Sequence, residues 1–356
     1  MNTNTHKLHQ LGQRLWLDNI SRPLLTSGML AHYIAELSVT GLTSNPTIFE
    51  QAIAASGVYD ADIRRLAAMG ESDEGIFFEL ALDDLKQAAD LFRPLFDASN
   101  GRDGWVSLEV SPLLAHDAAG TVRAAVALHA SAARPNLFIK IPGTAEGIAA
   151  IEQAIIKGIP INVTLLFSRE HYLAAAEAYM RGLERRLAAG MAVAVESVAS
   201  LFVSRWDAAV KDTTAVQFHH RLGIAIAMRT YRSYRELLAS ERWKKLAAAG
   251  ARPQRLLWAS TGSKDPAAPD TLYLEALAAP DTVNTIPEKT LLAFAAHGAV
   301  GAALPIDGGY ADNVLEEFRR EGINDETLAA QLQTEGVAAF AKSWSGLMTR
   351  IAEKRL

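Results

Sequence analysis

The sequence predicts an α/β fold, a closed (β/α)8 TIM barrel with additional helices, and three observations carry that expectation. Eight short apolar or β-branched segments each end in a few polar residues and a turn: RLWLDNIS, GLTSNPT, WVSLEVSP, NLFIKIPGT, PINVTLLFS, AVESVASLF, RLLWASTG and TVNTIP. Alanine-rich stretches with helical spacing separate most of them, and strand-helix alternation of this kind is the pattern of parallel βα units. No glycine-rich GxGxxG turn follows the first segment, which removes the commonest reason to choose an open doubly wound sheet instead.

The helical stretches carry their own punctuation. In DAAGTVRAAVALHASAA, Asp117 stands where an N-cap belongs, and Gly190 closes SREHYLAAAEAYMRGLERRLAAG as a C-cap would. Two connections, residues 50 to 104 and 205 to 250, are longer than a barrel requires and have space for more than one helix each. Beyond PIDGGY the tail carries two more helical patterns, in which Val337, Phe340, Trp344 and Met348 fall at three- and four-residue spacing. That makes one apolar stripe, expected to pack on the outside of the barrel. The expected organisation is one barrel domain over residues 1–356, with strands between about 13 and 290 and a C-terminal helical extension over about 311–356.

Composition narrows the function classes. A hydrophobic fraction of 49% beside 21% charged residues reads as a globular chain with ample material for a core. A formal net charge of -5 supplies no positive field for a polyanion, so nucleic acid is not an expected partner, although a local basic pocket for one small phosphate remains open. The chain has no cysteine, which excludes disulfides, thiolate metal sites and a cysteine nucleophile. The start, MNTNTHKLHQLGQRL, lacks an apolar core of signal-peptide length, and no run of about 18 apolar residues occurs. A cytoplasmic protein that does not associate with membranes is expected.

The polar residues inside the strand segments point to the chemistry. Parallel strands covered on both faces should read as nearly continuous Val, Ile and Leu. Here Ser107 and Glu109 alternate with Val106, Leu108 and Val110; Phe138 and Lys140 oppose Ile139 and Ile141; Asn162 aligns with Thr164, Thr43 with Asn45, and Trp16 with Asp18. With the apolar partners facing the helices, Asp18, Asn45, Glu109, Lys140, Asn162 and Thr164 converge on the interior near the strand C-termini, the rim where barrel enzymes do their chemistry. Buried Asn and Thr often only satisfy strand ends, and Lys140 with Glu109 would make an internal ion pair on the bland reading. Desolvating both charges costs several kcal/mol, however, and six polar groups at the same end of five strands are harder to explain structurally.

A lysine in that position has a chemical use. Loss of hydration favours the neutral amine, which attacks a carbonyl to form a Schiff base, and the iminium then accepts electrons as an adjacent carbon–carbon bond breaks. Carbinolamine dehydration needs a proton, which Glu109 would deliver through a water positioned by Thr164. Retro-aldol cleavage needs a base on the β-hydroxyl, a role open to Asp18. Amides such as Asn45 and Asn162 suit ketose hydroxyls. The histidines, among them His116, His129, His171, His219, His220 and His297, show no cluster at the strand ends, so no metal site is expected.

Together WLDNISR, GLTSNPTIFEQAI, VSLEVSP, LFIKIPGT, INVTLLFS, SLFVSRWD and LLWASTGSKDP resemble the transaldolases, in the same order and across essentially the whole chain. The resemblance implies a class I aldolase barrel with its Schiff-base lysine on the fourth strand, where Lys140 falls. It implies that Lys140 holds dihydroxyacetone, that Glu109 and Thr164 handle a catalytic water, and that Asp18 is the acid/base. It adds Asn45, Asn162 and Ser200 for the dihydroxyacetone moiety, and Arg205 and Ser260 for the sugar phosphate; the planar fork of an arginine suits phosphate oxygens. The activity implied is that of the non-oxidative pentose phosphate pathway, moving a three-carbon unit between sugar phosphates with no cofactor and no metal. One departure stands out: many transaldolases place an arginine two residues after the seventh-strand serine, whereas Gly262 occupies that place here, with Lys264 as a substitute charge. The long form of the chain resembles a bacterial subgroup. The sequence leaves a homo-oligomer open, and two rival functions as well: an aldolase that releases free dihydroxyacetone, and a sugar-phosphate-binding barrel without catalysis.

Overall fold

Each strand pairs in parallel with the next in sequence from β1 round to β8, and β8 pairs with β1 to close the barrel. In the computed structural model, which describes residues 2–263 and 265–355, the strands are β1 (Arg14–Asp18), β2 (Val39–Thr43), β3 (Trp105–Glu109), β4 (Leu137–Pro142), β5 (Ile161–Leu166), β6 (Ser197–Phe202), β7 (Arg255–Ala259) and β8 (Thr282–Ile286). The eight segments marked by the sequence therefore each hold a strand, with β2 starting at Val39, ahead of its segment.

Alternation along the strands divides the barrel into an apolar floor and a polar upper layer. Trp16, Trp105 and Phe138 fill the lower interior, with ring centroids 4.1 Å apart for Trp105 and Phe138 and 5.9 Å for Trp16 and Phe138. Gly41 faces Trp16 in register, and a Cβ there would lie 2.6 Å from Trp16 Nε1, so the indole occupies the space a side chain on β2 would take. The outward residues Leu17, Leu42, Leu108, Ile139, Ile141 and Val163 are almost fully buried beneath the helices.

Extra helices occupy both long connections. Between β2 and β3 lie helices Pro46–Ala55, Asp60–Ala68 and Asp73–Ala98; between β6 and β7 lie Ser204–Val210, Leu222–Ala239 and Glu241–Ala248. Asp117 caps helix Ala118–Ala132, its Oδ1 accepting from Gly120 N–H at 2.8 Å. Gly190, at φ 69°, follows the end of helix Arg169–Ala188 and donates its N–H to Leu187 O. A further helix, Thr3–Leu11, precedes β1, with the Asn2 side chain accepting from Asn4 and Thr5 N–H. Among the described residues no helix is long and apolar enough to cross a membrane.

The tail forms helices Ala311–Arg320 and Asp325–Lys354. Its apolar stripe packs on the chain's own elements as expected, with Trp344 edge-on to Phe77 at 5.1 Å and beside Phe78 at 5.7 Å. Its course departs from a purely outer position. Phe340 reaches over the C-terminal end of the barrel, because Gly336 lets the helix approach Leu165 and Phe167 at the end of β5 closely.

At the opposite end, Asp103 is buried between two arginines, with Arg14 Nε at 2.8 Å and Arg255 NH1 at 3.0 Å, which joins β1 and β7 beneath the floor. Burial pushes its carboxyl pKa up, but Arg255 and Arg14 outweigh that and hold it below the usual carboxylate value. A depressed folded-state pKa gives stability that is present above the unfolded-state value and lost as pH falls through the folded one. Asp103→Asn is therefore expected to lower unfolding free energy near neutral pH by about 3 kcal/mol. In denaturant titrations that deficit should shrink as the pH falls below the ordinary aspartate range.

Candidate active site

Strand register assembles the site. Asp18 pairs with Thr43, Glu109 with Lys140, Lys140 with Asn162, and Pro142 with Thr164, so the polar residues of five neighbouring strands stand side by side above the aromatic floor. Lys140 and Glu109 are each only 5% exposed. Lys140 Nζ lies 3.1 Å from Glu109 Oε2 and donates one hydrogen bond, to Ser44 O at 3.2 Å. The contact with Glu109 is an ion pair by distance without the alignment of a good hydrogen bond.

Around that pair runs a chain of neutral hydrogen bonds. Ser44 Oγ donates to Ser107 O at 2.7 Å, Asn162 Nδ2 to Ser107 Oγ at 3.1 Å, and Ser200 Oγ to Asn162 Oδ1 at 2.8 Å. On the far side Thr43 Oγ1 lies 2.9 Å from Asp18 Oδ1 and 2.6 Å from Thr285 Oγ1. Thr164 is fully buried, and its Oγ1 has no hydrogen-bond partner among the described residues. The register between β5 and β6 shifts at this place, between Val163 and Leu166, and Leu165 takes a left-handed φ of 57°. Such a bulge re-aims the side chains beside it.

These groups surround a cavity of about 220 Å³ at the strand C-termini, lined by Asp18, Asn45, Lys140, Thr164, Ser200, Arg205 and Ser260 among others. That is below the roughly 300 Å³ at which pockets for drug-sized ligands begin, so it suits a small polar metabolite. A larger recess of about 360 Å³, bounded by Phe96, Trp105, Pro160 and Arg252, opens at the other end of the barrel. Size does not decide between them, since barrel chemistry sits at the C-terminal face.

Of the nine residues singled out in the sequence, seven line the cavity; Glu109 and Asn162 do not, and lie behind Lys140 and Ser200. Asn45 has a structural role as well, capping helix Pro46–Ala55 through Ile48 N–H at 3.1 Å. Ser260 sits at the end of β7 with a left-handed φ of 54°. Its carbonyl accepts from Ser204 N–H at 2.9 Å and its hydroxyl lies 3.0 Å from Ser204 Oγ. A non-glycine residue held there costs on the order of 1 kcal/mol, which the ties to Ser204 at the start of the helix after β6 offset. Arg205 lies in the first turn of helix Ser204–Val210 with its guanidinium 5.2 Å from the Phe202 ring centroid; burial draws its pKa down, and Glu335 acts the other way.

Gly262 lies against Pro287, where a Cβ would come to 2.9 Å from Cγ, so a larger side chain there requires Pro287 to shift. Lys264, its suggested substitute, lies outside the described residues. His219 and His220 stand in a turn, with His220 at φ 61° and its Nε2 3.4 Å from Asp265. Sequence reasoning missed Ser44, which acts through its backbone carbonyl and has no side-chain signal. It also missed Thr43, Thr285 and Phe340 as site neighbours, of which Thr43 alone was visible in the alternation.

A buried lysine–carboxylate pair opening on a cavity at the C-terminal mouth of a parallel barrel is the arrangement of a barrel enzyme. The chain belongs to the Transaldolase/Fructose-6-phosphate aldolase family, which it matches over residues 15–351. It is 45% identical to the transaldolase of Thermobifida fusca (strain YX) over 99% of both chains. It is 44% identical to transaldolase 1 of Streptomyces avermitilis over 98% of this chain and 95% of that one, and 40% identical to transaldolase 2 of Nostoc punctiforme over 98% and 96%.

Burial pushes the Glu109 carboxyl pKa up and Asp18 adds to that, while Lys140 opposes both. Replacing Lys140 with methionine removes the opposing charge, so the Glu109 pKa followed by carboxyl NMR should rise further. A fall, or no change, would show that the two groups do not interact in the folded protein.

Proposed function

We propose that the chain is a transaldolase of the non-oxidative pentose phosphate pathway, acting through a Schiff base on Lys140. It transfers a dihydroxyacetone unit from sedoheptulose 7-phosphate or fructose 6-phosphate to glyceraldehyde 3-phosphate or erythrose 4-phosphate. The observation that carries this reading is the Lys140 amine, buried, ion-paired with Glu109, hydrogen-bonded to Ser44 O, and lining the cavity.

In this reading the ammonium proton of Lys140 passes to the neighbouring Glu109 carboxylate, and the neutral amine adds to the ketose carbonyl to give a carbinolamine. Glu109, whose raised pKa keeps a proton available closer to neutral pH, supplies it through a water held at the unpartnered Thr164 Oγ1, and loss of water leaves the iminium. Asp18, steadied by Thr43 at 2.9 Å, takes the proton from the β-hydroxyl as the carbon–carbon bond breaks. The iminium receives the electron pair, so the reaction needs no cofactor and no Lewis-acidic metal. Asn45 and Ser200 hold the hydroxyls of the three-carbon unit. Asn162, engaged on both sides, fixes the Ser200 hydroxyl at the cavity wall. Arg205 and Ser260 receive the phosphate, Arg205 as a charge-assisted donor in a site partly removed from water. Small sugar phosphates are thus the partners, in a cytoplasmic setting.

The family description also names an aldolase, whose reaction would share every step up to cleavage and then release dihydroxyacetone. Product analysis with and without an aldose phosphate separates the two: the transaldolase reading expects ketose product that depends on the acceptor. Lys140→Ala should reduce kcat/KM by about four orders of magnitude while leaving the fold intact. Substantial residual turnover in a folded variant would remove Lys140 from the proposed role, and a sugar-phosphate-binding barrel without catalysis would show no turnover to lose.

A further inference from the structure

The C-terminal helix Asp325–Lys354 reaches the reacting end of the barrel through three residues on one face, Gln333, Gly336 and Phe340. Gln333 Nε2 donates to Gly143 O and to Leu165 O, both at 3.0 Å, so one side-chain amide ties the helix to the chain just beyond Lys140 on β4 and Thr164 on β5. One turn on, Gly336 is packed so closely that a Cβ would lie 2.9 Å from Leu165 Cδ2 and 3.4 Å from Arg205 NH1. A further turn brings Phe340, 6% exposed, to the cavity wall with its ring centroid 5.8 Å from Lys140 Nζ. Beyond it Thr47 Oγ1 and Ser343 Oγ, 2.7 Å apart, fasten the helix to the one that Asn45 caps.

We propose that Phe340 is a specificity-determining residue, an apolar roof over the Lys140 adduct that favours transfer to an aldose over release of free dihydroxyacetone. The proposal rests on the Schiff-base reading above. After cleavage the three carbons remain on Nζ as an enamine, and Asp18 holds the proton taken from the ketose hydroxyl. In transfer the enamine carbon bonds to the acceptor aldehyde carbon, the new alkoxide takes that proton, water adds to the resulting iminium and the C–N bond breaks. In release the proton goes to the enamine carbon instead, and water then frees dihydroxyacetone; both routes return the amine. The choice depends on how long the enamine escapes protonation while one aldose leaves and another enters. The Phe340 ring, with Nζ over it at 5.8 Å from the centroid, carries no N–H or O–H donor and no oxygen or nitrogen acceptor, so it keeps ordered water from that side of the amine. Gln333 and Gly336 are positioning residues that set its height.

The test measures acceptor-dependent ketose formation and free dihydroxyacetone release side by side in the full chain. Phe340→Ala should retain cleavage and shift the ratio toward release about tenfold, and Phe340→Leu, which keeps apolar bulk, should stay close to the unaltered protein. Gln333→Ala, at a partly exposed position, should shift the ratio in the same direction by a smaller factor, and it carries the test if Phe340→Ala does not fold. An unchanged ratio in the folded variants overturns the proposal, as does an equal loss of both products, which is what a merely structural role gives. Unaltered protein that forms neither product overturns the Schiff-base reading itself, an outcome distinct from an unchanged ratio.

Discussion

Glu109 and Lys140 face each other because β3 and β4 pair in that register, and the helices around the barrel then deny both charges water. Burying a carboxylate and an ammonium costs several kcal/mol, and a contact of 3.1 Å without hydrogen-bond alignment recovers only part of it. The surroundings differ from those of the chain's structural pairs. Asp325, also buried, receives Arg229 at 2.7 Å and Arg319 at 3.0 Å, and so starts the C-terminal helix with its charge well answered. Asp103 has two arginines as well. Lys140 has one carboxylate, one carbonyl and a cavity. Its arrangement suits the reactive amine proposed for it, with the cost of burial met by the rest of the fold.

The remainder of the barrel can be understood from what that pair requires. Below it, the buried rings of Trp105, Phe138 and Trp16 pack into an apolar floor. Beside it, the hydrogen bonds through Ser44, Ser107, Asn162 and Ser200 satisfy the neighbouring polar groups in place, so that they keep fixed positions around the amine. Above it, the C-terminal helix brings Phe340 to the mouth and Gln333 to the strand ends. Apolar floor, polar middle and partly apolar roof frame the cavity, whose wall also includes Asp18, Arg205 and Ser260.

The strands were legible because parallel strands in a barrel are buried on both faces, and a polar side chain in such a segment has few places to go except the interior. That logic places Asp18, Glu109, Lys140, Asn162 and Thr164 on neighbouring strands without reference to three-dimensional contacts. It does not separate Glu109 and Asn162, which lie behind the cavity wall, from Lys140 and Ser200, which lie on it; that depends on register and side-chain length. It gives no notice of Ser44, which acts through a carbonyl, or of the left-handed backbone at Leu165 and Ser260, since neither residue type signals it. The apolar stripe of the tail announced packing, but an amphipathic pattern is the same whether a helix lies on the wall of a barrel or across its mouth. Helix Thr3–Leu11 has only its Asn2 cap and Gly12 as local signals, and its single fully buried apolar residue, Leu8, makes no stripe to detect.

The account stands on covalent chemistry at one amine. Incubation with fructose 6-phosphate and borohydride, followed by peptide mass spectrometry, tests it most directly. The expected result is a reduced three-carbon adduct on the peptide containing Lys140, absent when either reagent is omitted. No adduct, or an adduct on another lysine, in folded and active protein would contradict it.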